Sequence, residues 1–104
     1  MARPDDRTDN AVKDRAEVKN QDPKLFNVVL LNDDYTTMEF VLQILEMLFQ
    51  KSPAEAYRIM MQVHLGGRGV AGIYPWEVAE TKADTVITRA RASGHPLQAS
   101  IEDA

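Results

Sequence analysis

The segment LNDDYTTM at positions 31–38 constrains the fold of this chain more than any other stretch. The apolar run 25–31 stops there at three adjacent polar side chains, Asn32, Asp33 and Asp34. Thr36 and Glu39 then fit a capping box, the Ser/Thr-x-x-Glu pattern that opens a helix. The pattern predicts a strand, a short polar turn and a helix start, with two carboxylates and an amide on the turn.

This polar turn has two interpretations. Asn, Asp and Thr are the usual residues of turns and helix caps, so the simpler interpretation is local backbone chemistry. The alternative is a fixed cluster of acceptors for a cation, because a helix N-terminus carries partial positive charge and favours carboxylates nearby. His64 and the apolar residues around it favour the second interpretation.

Four further elements follow the first strand and the first helix, which we expect at about 37–50. Ser52, Pro53 and Glu55 open a second helix, and Gly66-Gly67 ends it. A short second strand spans 68–73. A third helix spans about 75–93, with its core-facing residues expected at Val78, Val86, Ile87 and Ala90.

A last strand is indicated by the alternation of Leu97, Ala99 and Ile101. The predicted order is therefore strand, helix, helix, strand, helix, strand. This order is typical of an α/β two-layer sandwich, in which a small three-stranded antiparallel sheet packs on three helices. The first strand is apolar on both faces and should be central.

The N-terminal segment 1–24 differs from the rest of the chain. It carries six basic and six acidic residues, so it is neutral overall but densely charged. It has few aliphatic residues and cannot bury enough apolar surface to offset the entropy of ordering. We expect a disordered N-terminal extension, followed by one folded domain at 25–104.

The composition also excludes several classes of protein. The formal net charge is −4, whereas a nucleic-acid-binding protein would need a basic face. The chain has no cysteine, which excludes disulfides, zinc thiolate sites and thiol nucleophiles. No apolar stretch is long enough to span a bilayer, and no signal peptide is visible. A cytoplasmic protein that binds neither nucleic acid nor membrane is expected.

Two helices bring apolar residues towards one place. Met60, Val63 and His64 on the second helix have i, i+3, i+4 spacing and share a face. Met38 and Val41 are similarly adjacent on the first helix. Core packing explains the apolar residues one by one, and a helix C-terminus explains His64. Taken together, they are consistent with an apolar pocket that has a polar cluster at its rim.

No enzyme chemistry is predicted. Asp33 and Asp34 are too close in sequence for an acid/base pair flanking a substrate. No Ser-His-Asp pattern appears, and Gly66-Gly67-Arg68-Gly69 lacks the Lys and Ser/Thr of a P-loop. We expect no catalytic residue, no cofactor and no metal. A metal-dependent hydrolase using Asp33, Asp34 and His64 is the weakest alternative.

These motifs together resemble the bacterial ClpS adaptors. They match in order and spacing at NDDYT (32–36), MEFV (38–41), Met60, Val63-His64, EVAETK (77–82) and HPL (95–97). The resemblance spans 25–104 and implies a protein that is not an enzyme. Proteins of this family bind the N-terminal residue of N-degron substrates and deliver them to the ClpA–ClpP protease.

The resemblance also implies roles for individual residues. Asn32, Asp34 and His64 would hold the substrate's α-amino group, a three-donor cation, and its first peptide bond. His64 can accept a hydrogen bond only while neutral, so acid pH should weaken binding. The side-chain pocket would be lined by Thr36, Met38, Val41, Met60, Val63 and Leu97. Met38 matches a gatekeeper that rejects branched Ile and Val while Leu, Phe, Tyr and Trp enter.

Docking is implied for a second surface. Glu77 and Lys82 match positions that contact the N-terminal domain of the ClpA unfoldase, and 1–24 matches the extension that the unfoldase engages. A monomer is expected. The chain departs from the family pattern at Thr37, where Pro is common, and at Ala71, where Cys is frequent. The glycine-rich segment 65–69 is a further departure, and all three bear on the shape of the pocket.

One competing interpretation is a non-catalytic protein–protein interaction domain. The C-terminal domain of the ribosomal stalk protein shares this general architecture. Such a domain docks through a helix face and would not need Asn32, Asp34 and His64 to converge.

Overall fold

A computed structural model describes residues 22–104, so the predicted N-terminal extension lies outside the described residues except for 22–24. Six elements follow in the predicted order, which is confirmed. They are β1 (Leu25–Leu31), α1 (Met38–Phe49), α2 (Pro53–Gly66), β2 (Arg68–Pro75), α3 (Trp76–Ala92) and β3 (Gln98–Asp103). The sheet order is β2-β1-β3 with both pairings antiparallel, so β1 is central as expected.

One face of the sheet forms the core with the helices. Val28 and Leu30 on β1 are fully buried there against apolar residues of α1, α2 and α3. Val29 points to the opposite face because side chains alternate along a strand, yet it is also fully buried. Arg68 on β2 and Glu102 on β3 form an ion pair on that face, across β1.

The first helix begins one residue later than its sequence pattern suggests. The predicted capping box at Thr36 and Glu39 is wrong, because the N-cap is Thr37, whose hydroxyl accepts a 3.1 Å hydrogen bond from the N–H of Phe40. Thr36 instead belongs to the preceding turn, where its N–H and its hydroxyl both donate to the carboxylate of Asp33.

The second helix begins and ends as its sequence predicts. Ser52 is its N-cap and accepts a hydrogen bond from the N–H of Glu55, with Pro53 in the first turn. Gly67 ends it in the left-handed conformation, with a φ of 90° that glycine adopts without strain.

Two predictions about β2 and α3 need correction. β2 continues to Pro75, because Tyr74 and Pro75 pair with the first residues of β1, and its edge position tolerates the missing N–H of proline. Val78 was expected in the core but is 43% exposed, and Ile87 is only partly buried. The buried face of α3 instead uses Ala79 and Ala83, together with Val86 and Ala90.

Candidate functional site

Two chain segments that are distant in sequence meet at one end of the sheet. The N–H of Asn32, the first residue after β1, donates to the carbonyl oxygen of Gly67 across 2.9 Å. The N–H of Gly67 donates in turn to the carbonyl oxygen of Val63 across 3.0 Å, which closes the last turn of α2. His64 lies in this last turn, and its side chain is exposed. The structure therefore brings the backbone of Asn32 next to the end of the helical turn that contains His64.

The two neighbouring carboxylates of the turn have different roles. Asp33 accepts hydrogen bonds from the N–H of Tyr35 (2.8 Å), the N–H of Thr36 (2.7 Å) and the hydroxyl of Thr36 (2.7 Å). Asp34 is exposed and accepts no hydrogen bond from any side chain or turn amide of residues 22–104. Asp33 thus folds the turn, whereas the side chain of Asp34 is exposed.

The hydrogen bonds to Asp33 also lower the pKa of its carboxyl group. Burial alone raises the pKa of the carboxyl, but the hydrogen bonds from Thr36 and Tyr35 and the nearby His95 outweigh it. The pKa of Asp33 therefore lies below its ordinary value, and the group is ionised at neutral pH. A negative charge consequently stays on the turn next to Asp34.

Four of the six predicted pocket residues are core residues. Their exposed fractions are 6% for Val41, 3% for Met60, 3% for Val63 and 1% for Leu97. Thr36 is partly buried, and Met38 at the start of α1 is 42% exposed. The four buried side chains belong to the main core cluster, which also includes residues of β1, β2 and α3.

The segment before β3 is fixed by residues that sequence analysis missed. Arg91 donates hydrogen bonds to the carbonyl oxygens of His95 (2.9 Å) and Leu97 (3.1 Å). The ring of Phe40 lies 4.6 Å from the ring of His95. A basic residue in the last turn of a helix, followed by Gly-His-Pro, is a signal that could have indicated such an anchor. Arg91 therefore holds the backbone that carries Leu97.

A second candidate surface lies on α3. Glu77 and Lys82 border a groove of about 420 Å³ whose other lining residues are Leu48, Val78, Thr81 and Thr85. The ammonium group of Lys82 donates to the carbonyl oxygen of Leu48 in the last turn of α1. It also lies 5.7 Å from the ring of Phe49 and 5.5 Å from the ring of Tyr74. Lys82 is thus part of the structure as well as of this surface.

This contact gives α1 a cation that its own sequence lacks. The last turn of α1 contains no basic residue, although helix C-terminal carbonyls favour a nearby positive charge. Lys82 supplies that charge from α3 and so joins the two helices. The exposed Val78 lies in the groove beside it.

The hydrolase alternative is not supported by this geometry. Within residues 22–104, no three carboxylate or imidazole side chains are grouped so that they could hold a metal ion. The three residues that the alternative requires, Asp33, Asp34 and His64, do not form such a group.

No helix in the described part of the chain is long and apolar enough to cross a membrane.

Comparison with known proteins identifies close relatives. Residues 21–100 match the family described as ATP-dependent Clp protease adaptor protein ClpS. The chain is 50% identical over 99 residues to the ATP-dependent Clp protease adapter protein ClpS of Paraburkholderia phymatum, covering 95% of each. It is 48% identical over 99 residues to the protein of the same name from Burkholderia thailandensis, again covering 95% of each.

A solved structure is similar as well. It is that of Agrobacterium tumefaciens ClpS2 bound to L-phenylalaninamide, with a TM-score of 0.76 and 38% sequence identity. The match covers 80% of the present chain and 100% of that chain. Both folds therefore share the arrangement of sheet and helices described above.

Proposed function

The chain belongs to the ClpS family of adaptors of the ATP-dependent Clp protease, and from this premise we propose that it recognises N-degrons. In this proposal it binds the free α-amino group and the bulky hydrophobic first residue of a substrate. It then delivers the substrate to the ClpA–ClpP protease in the cytoplasm. An adaptor selects substrates for a protease, and this role needs no catalytic residue.

The observation that carries the proposal is the hydrogen bond between Asn32 and Gly67. This backbone bond joins the turn that carries Asn32 and Asp34 to the end of α2, and we propose that the side chains of Asn32, Asp34 and His64 converge there. An ammonium group donates three hydrogen bonds and is best held by a carboxylate and neutral acceptors in fixed directions. Each charge-assisted bond contributes about 1.5–3 kcal/mol. We assign the α-amino group and first peptide bond to these three residues.

The first side chain would enter the apolar region beneath this rim. Thr36, Met38, Val41, Met60, Val63 and Leu97 form its proposed lining. Burying a Leu or Phe side chain there would contribute roughly 1.5–3 kcal/mol. The ligand of the Agrobacterium relative supports this proposal, because L-phenylalaninamide combines a free α-amino group, an aromatic side chain and an amide.

Met38 would act as the gate of this pocket. It is 42% exposed at the start of α1, beside the turn that carries Asp34. A side chain here would crowd a branched β-carbon, so Ile and Val would be excluded while Leu, Phe, Tyr and Trp enter. Exclusion by a clash discriminates strongly between isomers such as Leu and Ile.

We further propose that the groove bordered by Glu77 and Lys82 docks on the N-terminal domain of the ClpA unfoldase. The exposed Val78 and the partly buried Leu48 give this groove an apolar centre with a charged rim. This composition is typical of a protein–protein interface. The adaptor would act as a monomer, and its extension 1–24 would be engaged by the unfoldase during delivery.

The test is fluorescence anisotropy with labelled peptides that differ only at residue one, which is Leu, Phe, Ile or N-acetyl-Leu. We expect micromolar or tighter binding of the Leu and Phe peptides. We also expect this binding to be lost on acetylation, which removes the cation, and with Ile, which meets the gate. A protein that binds none of the peptides, or binds the acetylated one equally well, would contradict the proposal.

A further inference from the structure

Gly69 on β2 packs directly against α2. A Cβ atom on Gly69 would stand 2.9 Å from Cγ2 of Val63 and 3.2 Å from the carbonyl oxygen of Ile59. Among the described glycines, Gly67 and Gly94 have a positive φ, but Gly69 does not. The backbone conformation at Gly69 is therefore one that other residues can adopt. It is the lack of space between Gly69 and the neighbouring helix α2 that favours glycine.

Of the side chains near Gly69, that of Val63 would lie closest to the added Cβ atom. It is 3% exposed and belongs to the apolar cluster that includes Met60 and Val41. Val has one strongly preferred rotamer in a helix, so it cannot easily turn aside. A methyl group added at Gly69 would therefore move Val63 away from β2, towards the interior it shares with Met60 and Val41.

We propose that Gly69 is a positioning residue that sets the width of the pocket for the first residue. Without a side chain at this position, Val63 can sit back against β2, which leaves room for a large ring. This inference rests on the proposed function, because it takes Val63 as part of the pocket lining. It gives a role to one glycine of the segment 65–69.

The proposal predicts a change in selectivity when Gly69 is replaced by Ala. Two labelled peptides are compared, identical except for Leu or Trp at residue one. Gly69→Ala should lower the affinity for the Trp peptide about tenfold relative to the Leu peptide, since one carbon in an apolar pocket changes selectivity by roughly 10–200-fold. Gly66→Ala is the matched control, because a Cβ atom there has nothing within 4 Å. This variant should leave the ratio of the affinities for the Leu and Trp peptides (the Leu/Trp ratio) unchanged.

A double variant tests the route through Val63. Val63→Ala removes the methyl group that Gly69→Ala would strike. Adding Gly69→Ala to Val63→Ala should therefore leave the Leu/Trp ratio within about twofold of that of Val63→Ala alone. The proposal would be overturned if Gly69→Ala changed the Leu/Trp affinity ratio equally in the wild-type and the Val63→Ala backgrounds. It would also be overturned if Gly69→Ala alone left this ratio unchanged.

Folding and binding controls separate the remaining outcomes. If Gly69→Ala alone does not fold, we expect the Gly69→Ala/Val63→Ala double variant to fold. Its Leu/Trp affinity ratio should then equal that of Val63→Ala. A double variant as unstable as the single one overturns the proposal. A wild-type protein that binds neither peptide contradicts the proposed function and this inference together. A wild-type protein that binds, combined with an unaltered ratio in Gly69→Ala, contradicts this inference alone.

Discussion

The N–H of Asn32 donates to the carbonyl oxygen of Gly67 across 2.9 Å, and this one bond joins the end of β1 to the end of α2. It brings the polar turn and the last turn of α2 to a common rim. The neighbouring Asp33 fixes the shape of the turn. The proposed amine site would therefore be framed by these bonds, with the exposed side chains of Asn32, Asp34 and His64 as its candidate acceptors.

Asp34→Ala should weaken binding without destabilising the fold. Removing a carboxylate that binds an ammonium group costs about 1.5–3 kcal/mol, which is roughly ten- to hundredfold in the dissociation constant of a Leu-first peptide. The free energy of unfolding should change by less than about 0.5 kcal/mol, because Asp34 is exposed. Anisotropy and urea titrations measure the two quantities.

Asp33→Ala is the matched control for this variant and should behave in the opposite way. It removes the acceptor of three hydrogen bonds that fold the turn. The free energy of unfolding should therefore fall by about 1–2 kcal/mol. If both variants lost stability equally, the division of roles between the two carboxylates would be wrong.

Asp33→Asn should destabilise the protein in a pH-dependent manner. The pKa of Asp33 lies below its ordinary value in the folded state. Its ionised form therefore stabilises the fold above the unfolded-state pKa of about 3.9, and this contribution disappears as pH falls through the folded-state value. The variant should be less stable than the wild type at pH 7, and the gap should narrow below about pH 4.

Urea unfolding of both proteins at several values between pH 7 and pH 3 checks this prediction. The asparagine keeps the shape of the side chain and removes its charge, so the pH-dependent part of the difference reports on ionisation. A gap that widens on acidification would refute the prediction.

Arg91→Met should loosen the segment that carries Leu97. The methionine retains most of the apolar stem but cannot donate to the carbonyl oxygens of His95 and Leu97. We expect a loss of about 1–3 kcal/mol in the free energy of unfolding. Affinity for a Phe-first peptide should also fall, because Leu97 belongs to the proposed pocket.

Arg89→Met provides the control for this experiment. Both arginines lie in the last turn of α3 and interact alike with its carbonyl end. Arg89 makes no hydrogen bond to another side chain or to a loop carbonyl within residues 22–104. Equal losses in the two variants would show that Arg91 acts only through its charge near the helix end.

Lys82→Met should reduce stability as well as docking. The variant loses the bond from the ammonium group to the carbonyl oxygen of Leu48, which we expect to lower the free energy of unfolding by about 1–2 kcal/mol. Calorimetric titration with the N-terminal domain of ClpA, alongside urea unfolding, measures both effects.

Glu77→Gln separates the two effects, because Glu77 is exposed on the same groove. It should weaken docking while leaving the free energy of unfolding within about 0.5 kcal/mol of the wild type. A Lys82→Met protein that unfolds like the wild type would contradict the structural role of Lys82.

Local patterns predicted most of the elements. Ser52 and Gly67 were identified as the limits of α2, because a cap and a left-handed terminus depend on a few adjacent residues. The N-cap of α1 was misassigned, because Thr36 and Glu39 fit the capping-box pattern whereas Thr37 has Phe40 three residues later. In the structure Thr36 donates to Asp33 within the turn, and Thr37 accepts from the N–H of Phe40.

Tertiary packing decided what local patterns left open on α3. Val78 is the more hydrophobic residue, but close packing against the sheet favours the small Ala79 and Ala83 on the buried face. Likewise, the bond from Lys82 to the carbonyl oxygen of Leu48 was not predicted, because it depends on how α3 lies against α1.

The sequence by itself determined the order of strands and helices, the polar turn after β1 and the residue types available at the site. These features depend on interactions within a few residues, which the amino-acid order specifies directly. Asp33 and not Asp34 is engaged through hydrogen bonds within the turn, which involve Tyr35 and Thr36, but the residue types alone did not distinguish the two carboxylates. Only the tertiary structure decided that Asn32 is bonded to Gly67 beside the turn of His64 and that Gly69 lies against Val63. Both depend on the relative placement of different elements, which packing of the whole core fixes.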